Sequence, residues 1–231
     1  MAALNEFASD RRSGAKGVTV VQRLVDALRQ RILSGDLEPG SRIVIDELRL
    51  AYGVSHIPLR EALRILQGEG LLTHVPNHGT HVAQLSASEI DGLYELRLML
   101  EPPLIEKACR MKRKADSVAV SIALKEMVDL SPGEDSIRFQ DAHRAFHAAL
   151  VLPGASQVAR GVLEPIWQRV QRYHVKMYRI PMVPPLGGVQ HEQIAMAWNA
   201  GDPGCGALLR EHLEDGRRQM SVAISELAES T

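Results

Sequence analysis

Between residues 21 and 33 the apolar positions Val21, Leu24, Val25, Leu28, Ile32 and Leu33 recur at intervals of three and four, which predicts one amphipathic helix stopped at Ser34-Gly35. DLEPGSR then reads as a turn. A second short helix is predicted over roughly Ile45 to Tyr52, with Leu48 and Ala51 inward and Gly53 closing it in the left-handed conformation. Ser55 is placed to cap a third helix, and Pro58 falls in its first turn, where a missing N–H costs nothing. Leu59, Leu63 and Leu66 make its inner face; Gly68 and Gly70 end it. LLTHV and THVAQL are β-prone runs on either side of Pro76-Asn77-His78-Gly79, a predicted hairpin. Three helices, with a tight glycine turn between the second and third, followed by a hairpin predict a winged helix-turn-helix over residues 18–85.

LSASEIDG breaks the pattern, Ser88 can cap a new helix, and from residue 88 to about 228 nearly everything reads as helix. The segments are EIDGLYELRLMLEPPLIEKACRM, ADSVAVSIALKEMVDL, SIRFQDAHRAFHAALV, SQVARGVLEPIWQRVQRYHVKMY, the stretch around VQHEQIAMAWNAG, and DPGCGALLREHLEDGRRQMSVAISEL. Pro102-Pro103 predicts a kink or break in the first of them. The expected fold class is therefore mainly α: the winged domain, then an antiparallel bundle of about six helices.

Composition narrows the setting. The start, residues 1–17, lacks the apolar core of a secretory signal and reads as a loose arm carrying Arg11, Arg12 and Lys16. No apolar run reaches the roughly 20 residues that span a bilayer. Only Cys109 and Cys205 occur, outside any CxxC spacing, so a reducing cytoplasm is the expected compartment. The formal net charge is −1, and aromatic residues, at 4%, are too few for base stacking on single strands.

Histidines carry the candidate chemistry. His143 and His147 are four residues apart on one helix, hence on one face. His191 precedes Gly201 by ten residues and His212 follows Asp202 by ten, with Gly201-Asp202-Pro203 a helix stop followed directly by a start. In the resulting helical hairpin each histidine lies about 15 Å from the turn, so the two are level. Four imidazoles placed this way predict a metal site inside the bundle. Arg97 lies at the edge of the apolar stripe Leu93, Leu96, Leu100, Leu104 and needs an acceptor: either Glu101, four residues on, or a bound carboxylate. Arg169 and Arg172 are weaker candidates, and His174 is expected at the surface.

The segment from ILSGDLEPGSR through GVS, PLREAL, EGLL and NHGTHV resembles the DNA-binding domain of the GntR family of bacterial transcription regulators. The following half resembles the FCD type of ligand-binding domain of its FadR-like subfamily, through LYELRLMLE, FHAAL and H…A…AGD…LLREHL. The resemblance implies a homodimer on a pseudo-palindromic double-stranded DNA operator, most commonly as a repressor. Arg49, Ser55, His56, Ile57 and Arg60 around the recognition helix, and His78 and Gly79 on the wing, are the implied DNA contacts. His56 and His78 stand where the family has or often has arginine, and residues 11–85 hold ten basic against seven acidic side chains. DNA affinity is therefore expected to lean on dimerisation and the arm, and to rise as pH falls from about 7.5 to 6 if these imidazoles charge beside phosphates.

The FCD resemblance further implies a divalent metal on a carboxylate and three histidines, with a small organic acid beside it. His147, His191 and His212 match the histidines, whereas the carboxylate position is His143. Asp141, six residues and about 240° around the helix from His147, cannot replace it. An all-nitrogen site would favour zinc or nickel, and also cobalt or copper, over manganese or magnesium. Arg97 and Arg169 would face the acid. Two other classes are weaker: a purely structural metal staple for dimerisation, and a metal-dependent hydrolase. HExxH, GxSxG, the P-loop and the dinucleotide fingerprint are all absent, and Glu192 is the one carboxylate suitably placed as a base.

Overall fold

The computed structural model describes residues 19–130, 136–178 and 188–229. The chain divides into two compact units, Met1–Gln84 and Leu85–Thr231. The expected N-terminal arm lies outside the described residues.

In the first unit, α1 (Val20–Leu33), α2 (Ile45–Tyr52) and α3 (His56–Gly68) precede β1 (Leu72–Val75) and β2 (Gly79–Val82). Thr19 caps α1 by accepting from the Gln22 backbone N–H. Gly53 ends α2 with φ +62°. The strands pair antiparallel from Leu72↔Val82 to Val75↔Gly79, and Asn77 (φ +64°) and Gly79 (φ +89°) supply the left-handed backbone that the turn needs. Leu24, Val25, Leu28, Leu59 and Leu66 pack into one core. Within α2 the inward residue after Leu48 is Tyr52, 2% exposed. Ala51 faces solvent instead, because a step of four from Leu48 keeps closer to one helical face than a step of three. Ser55 sits at the cap position of α3 but its side chain makes no capping bond.

The second unit is all helical: α4 (Ala87–Met111), α5 (Lys114–Val128), α6 (Ser136–Val151), a short 3-10 turn (Leu152–Gly154), α7 (Gln157–Tyr178), α8 (Gly188–Ala200) and α9 (Cys205–Glu229). Among the described residues the most extensive helix pairing is α4 against α9. The predicted break at Pro102-Pro103 is absent, and α4 runs through both prolines. Pro102 cannot donate to the Leu98 carbonyl, and Arg210 of α9 donates to that oxygen from 3.5 Å. Gly201, with φ +80°, closes the hairpin between α8 and α9. No helix among the described residues is long and apolar enough to cross a membrane.

Candidate metal centre and nucleic-acid interface

The four histidines converge. His143 and His147 come from α6, His191 from α8 and His212 from α9, and one ring nitrogen from each lies within 4.8 Å of the others. All four residues are buried. The Nε2 atoms of His143 and His191 are 3.1 Å apart. Two nitrogens bound to one zinc at 2.0–2.1 Å would stand roughly 3.3 Å apart at a tetrahedral angle. The Nε2 of buried His147 lacks a hydrogen-bond partner, a costly arrangement for a polar atom unless a ligand takes it up.

Burial, reinforced by the neighbouring imidazoles, holds the His143 and His212 rings well below the usual histidine range. His147 is lowered too, chiefly by burial, with Glu101 pulling the other way. Rings kept neutral present lone pairs, which is the form a metal binds. Orientation comes from outside the cluster. The Nδ1 of His212 is 3.1 Å from Gln190 Oε1, and the Gln190 amide donates to Asp215 over 2.7 Å. The Nδ1 of His147 faces Glu101 Oε2 at 3.6 Å. Both contacts leave the Nε2 atoms for the cluster.

Glu101 is the residue whose importance the sequence understated. It is completely buried and accepts from Arg97 Nε at 2.5 Å, Arg97 Nη2 at 3.3 Å and Trp167 Nε1 at 2.8 Å. Burial pushes its carboxyl up, but Arg97 and His147 outweigh that and bring it down to about 2. Of the two acceptors left open for Arg97, Glu101 is in place. A cleft of about 20 Å3 adjoins the cluster, lined by Arg97, Gln140, His143, Arg144, His147, Trp167, Val170, Gln171 and His174.

Other candidates fall elsewhere. Arg169 is absent from that lining, and its guanidinium is held by Glu89 at 2.5–3.0 Å. His174, expected at the surface, is buried and lies between Gln140 Oε1 at 2.8 Å and the Tyr94 hydroxyl at 3.1 Å. It sits on a stretch of α7 buried on nearly every side, where amphipathic periodicity carries no information. Asp141 accepts from Gln171 at 2.8 Å, and Glu192 is exposed.

In the first unit, Ser55, His56, Ile57 and Arg60 are all exposed at the start of α3, and Ile57, at 82%, is far more open than a structural isoleucine needs to be. His56 Nε2 and Arg49 Nε lie 3.7 and 3.6 Å from the same Asp46 Oδ1. His78 is exposed at the hairpin tip beside Gly79.

Residues 20–82 match the family model of bacterial regulatory proteins, gntR family, and residues 92–215 match the FCD domain. The chain belongs to the GntR family of transcription regulators, with an FCD domain. It is 30% identical over 128 residues to the HTH-type transcriptional regulator YdhC of Bacillus subtilis (54% of this chain, 56% of YdhC). Over 133 residues it is 32% identical to the gluconate operon transcriptional repressor of Bacillus licheniformis (56% of this chain, 53% of the repressor). The chain thus spans about half the length of these two curated relatives. The repressor GlaR of Escherichia coli is 27% identical over 196 residues, 80% of this chain and 89% of GlaR. Among solved structures, a GntR regulator from Rhodococcus sp. RHA1 superposes with a TM-score of 0.77 at 26% identity, covering 87% of this chain and 96% of that one. These relatives are transcription regulators.

Proposed function

We propose that this GntR-family chain is a cytoplasmic repressor that binds a pseudo-palindromic DNA operator as a homodimer, and that its helical unit controls operator affinity from a divalent metal site. Support for the DNA side comes from the exposed face Ser55, His56, Ile57 and Arg60, with Arg49 near by and His78 and Gly79 on the wing. The observation that carries the control site is the buried convergence of His143, His147, His191 and His212. Those residues would hold the ion, zinc or nickel first by donor type, and the ion would supply a +2 charge tying three helices together.

A small organic acid as effector is the second reading, favoured by Arg97 lining the cleft beside His143 and His147. Such an acid would have to share the guanidinium with Glu101, and Arg169 does not line that cleft.

The test is elemental mass spectrometry on untagged protein purified without chelator, together with selection of bound sequences from random duplex DNA. About one zinc or nickel per chain, lost in His147→Ala, and a two-fold symmetric selected site are expected. Absence of metal from the wild type removes the control site, and failure to select any sequence removes the operator.

A further inference from the structure

The donor set and its surroundings bear on what the signal is. Four imidazoles complete the four-coordinate shell that zinc adopts in closed sites, whereas sites that engage a further ligand keep a position open. All four donors are buried among α6, α8 and α9. The adjoining cleft, about 20 Å3, has room for a water molecule. The nearest receptor for a carboxylate is already engaged in part: Glu101 takes the Arg97 Nε at 2.5 Å and the Trp167 indole at 2.8 Å, all three groups being buried. An incoming acid would have to share that guanidinium with Glu101 in a cleft with room for little more than a water molecule.

The same residues tie the cluster to the rest of the unit. Glu101 belongs to α4, which begins at Ala87, three residues beyond the end of the first unit. It faces the Nδ1 of His147, and Gln190 links His212 to Asp215. Filling the cluster would join α6, α8 and α9 directly and α4 through Glu101.

We propose that the ion is itself the effector: a borderline transition metal, bound by His143, His147, His191 and His212, changes operator affinity with no organic acid required. This rests on the metal site proposed above and goes further in naming the signal. His143 is the specificity-determining residue, because a nitrogen where a carboxylate would favour manganese selects the later metals and completes the shell.

Full-length protein stripped by chelator would be loaded with zinc, nickel, cobalt or manganese chloride alone. DNA would be selected from random pools in both metal-free and loaded states, and the affinity of the selected fragment measured in each. The expected result is at least a roughly tenfold change in Kd at one zinc or nickel per chain, none with manganese, and intense visible bands of four-coordinate cobalt. Cobalt bands with Kd unchanged, or changed only when an acid is added, overturn the inference and leave the metal site standing. No cobalt bands overturn both. Recovery of no sequence in either state overturns the operator and the inference together. In His143→Asp, weaker cobalt bands and a manganese response are expected; bands and selectivity like those of the wild type would contradict the role given to His143.

Discussion

The Nε2 atoms of His143 and His191, 48 positions apart in sequence, stand 3.1 Å from each other in the buried centre of the helical unit. Two ring nitrogens at that distance either share one proton or share one ion. The convergence of His147 and His212 on the same point favours the ion.

Loading that site should stabilise the fold. Zinc at a hundred times its Kd contributes about 2.7 kcal/mol if the unfolded chain does not bind it. Thermal melts of stripped and loaded protein should separate by several degrees. His212→Ala should abolish the separation, and a variant that still shows it would remove His212 from the ligand set.

Glu101→Gln leaves Arg97 as a buried cation without its counter-charge. The expected destabilisation is about 3–5 kcal/mol by denaturant titration, read on metal-free protein. Zinc affinity should also fall about 10- to 100-fold, because the residue facing His147 Nδ1 is changed. Unchanged values of both would show that Glu101 neither neutralises nor positions.

Acid should destabilise the metal-free protein. Burial holds His143, His174 and His212 well below the ordinary histidine value in the folded state, so the unfolded chain takes up protons first as pH falls below about 6.5. Stability should be fullest above that value and decline from pH 6.5 to 5. A melting temperature constant over that interval would contradict neutral buried rings.

Gly154→Ala probes packing away from the cluster. A Cβ there would meet backbone, coming against the Leu104 carbonyl and 2.8 Å from the Ala108 nitrogen of α4. About 1–3 kcal/mol of destabilisation is expected. A variant as stable as the wild type would mean that the 3-10 turn does not press on α4.

Ile57→Ala removes a side chain that is 82% exposed. Its melting temperature should stay within about a degree of the wild type, since surface changes cost within ±0.5 kcal/mol. Affinity for the selected operator should drop several-fold, with non-specific binding kept. Arg60→Ala should weaken binding further. Equal operator affinity in both variants would move the reading surface elsewhere.

The first unit was largely legible because each of its helices buries a single face. Leu24, Leu28, Leu59, Leu63 and Leu66 repeat at helical spacing and all are buried, so periodicity, glycine punctuation and the hairpin signal pointed to one fold. The level placement of His191 and His212 was equally legible, since a turn at Gly201-Asp202 and a constant rise per residue suffice to pair them; their ring centroids are 4.4 Å apart. Legibility failed where a helix has no outer face. Much of α7 is enclosed, and nothing local distinguishes a buried His174 from an exposed one.

By itself, then, the sequence determined which segments are helices, which faces are apolar and which histidines share a turn of helix or a hairpin level, all consequences of short-range geometry. Only the tertiary structure decided that α6 brings His143 and His147 against that hairpin, that Glu101 packs against both Arg97 and His147, and that α4 continues through Pro102. Those outcomes depend on which helices touch, and that is set by the packing of the whole core, where residues far apart in sequence, such as Glu101 and Trp167, satisfy one another's buried polar groups.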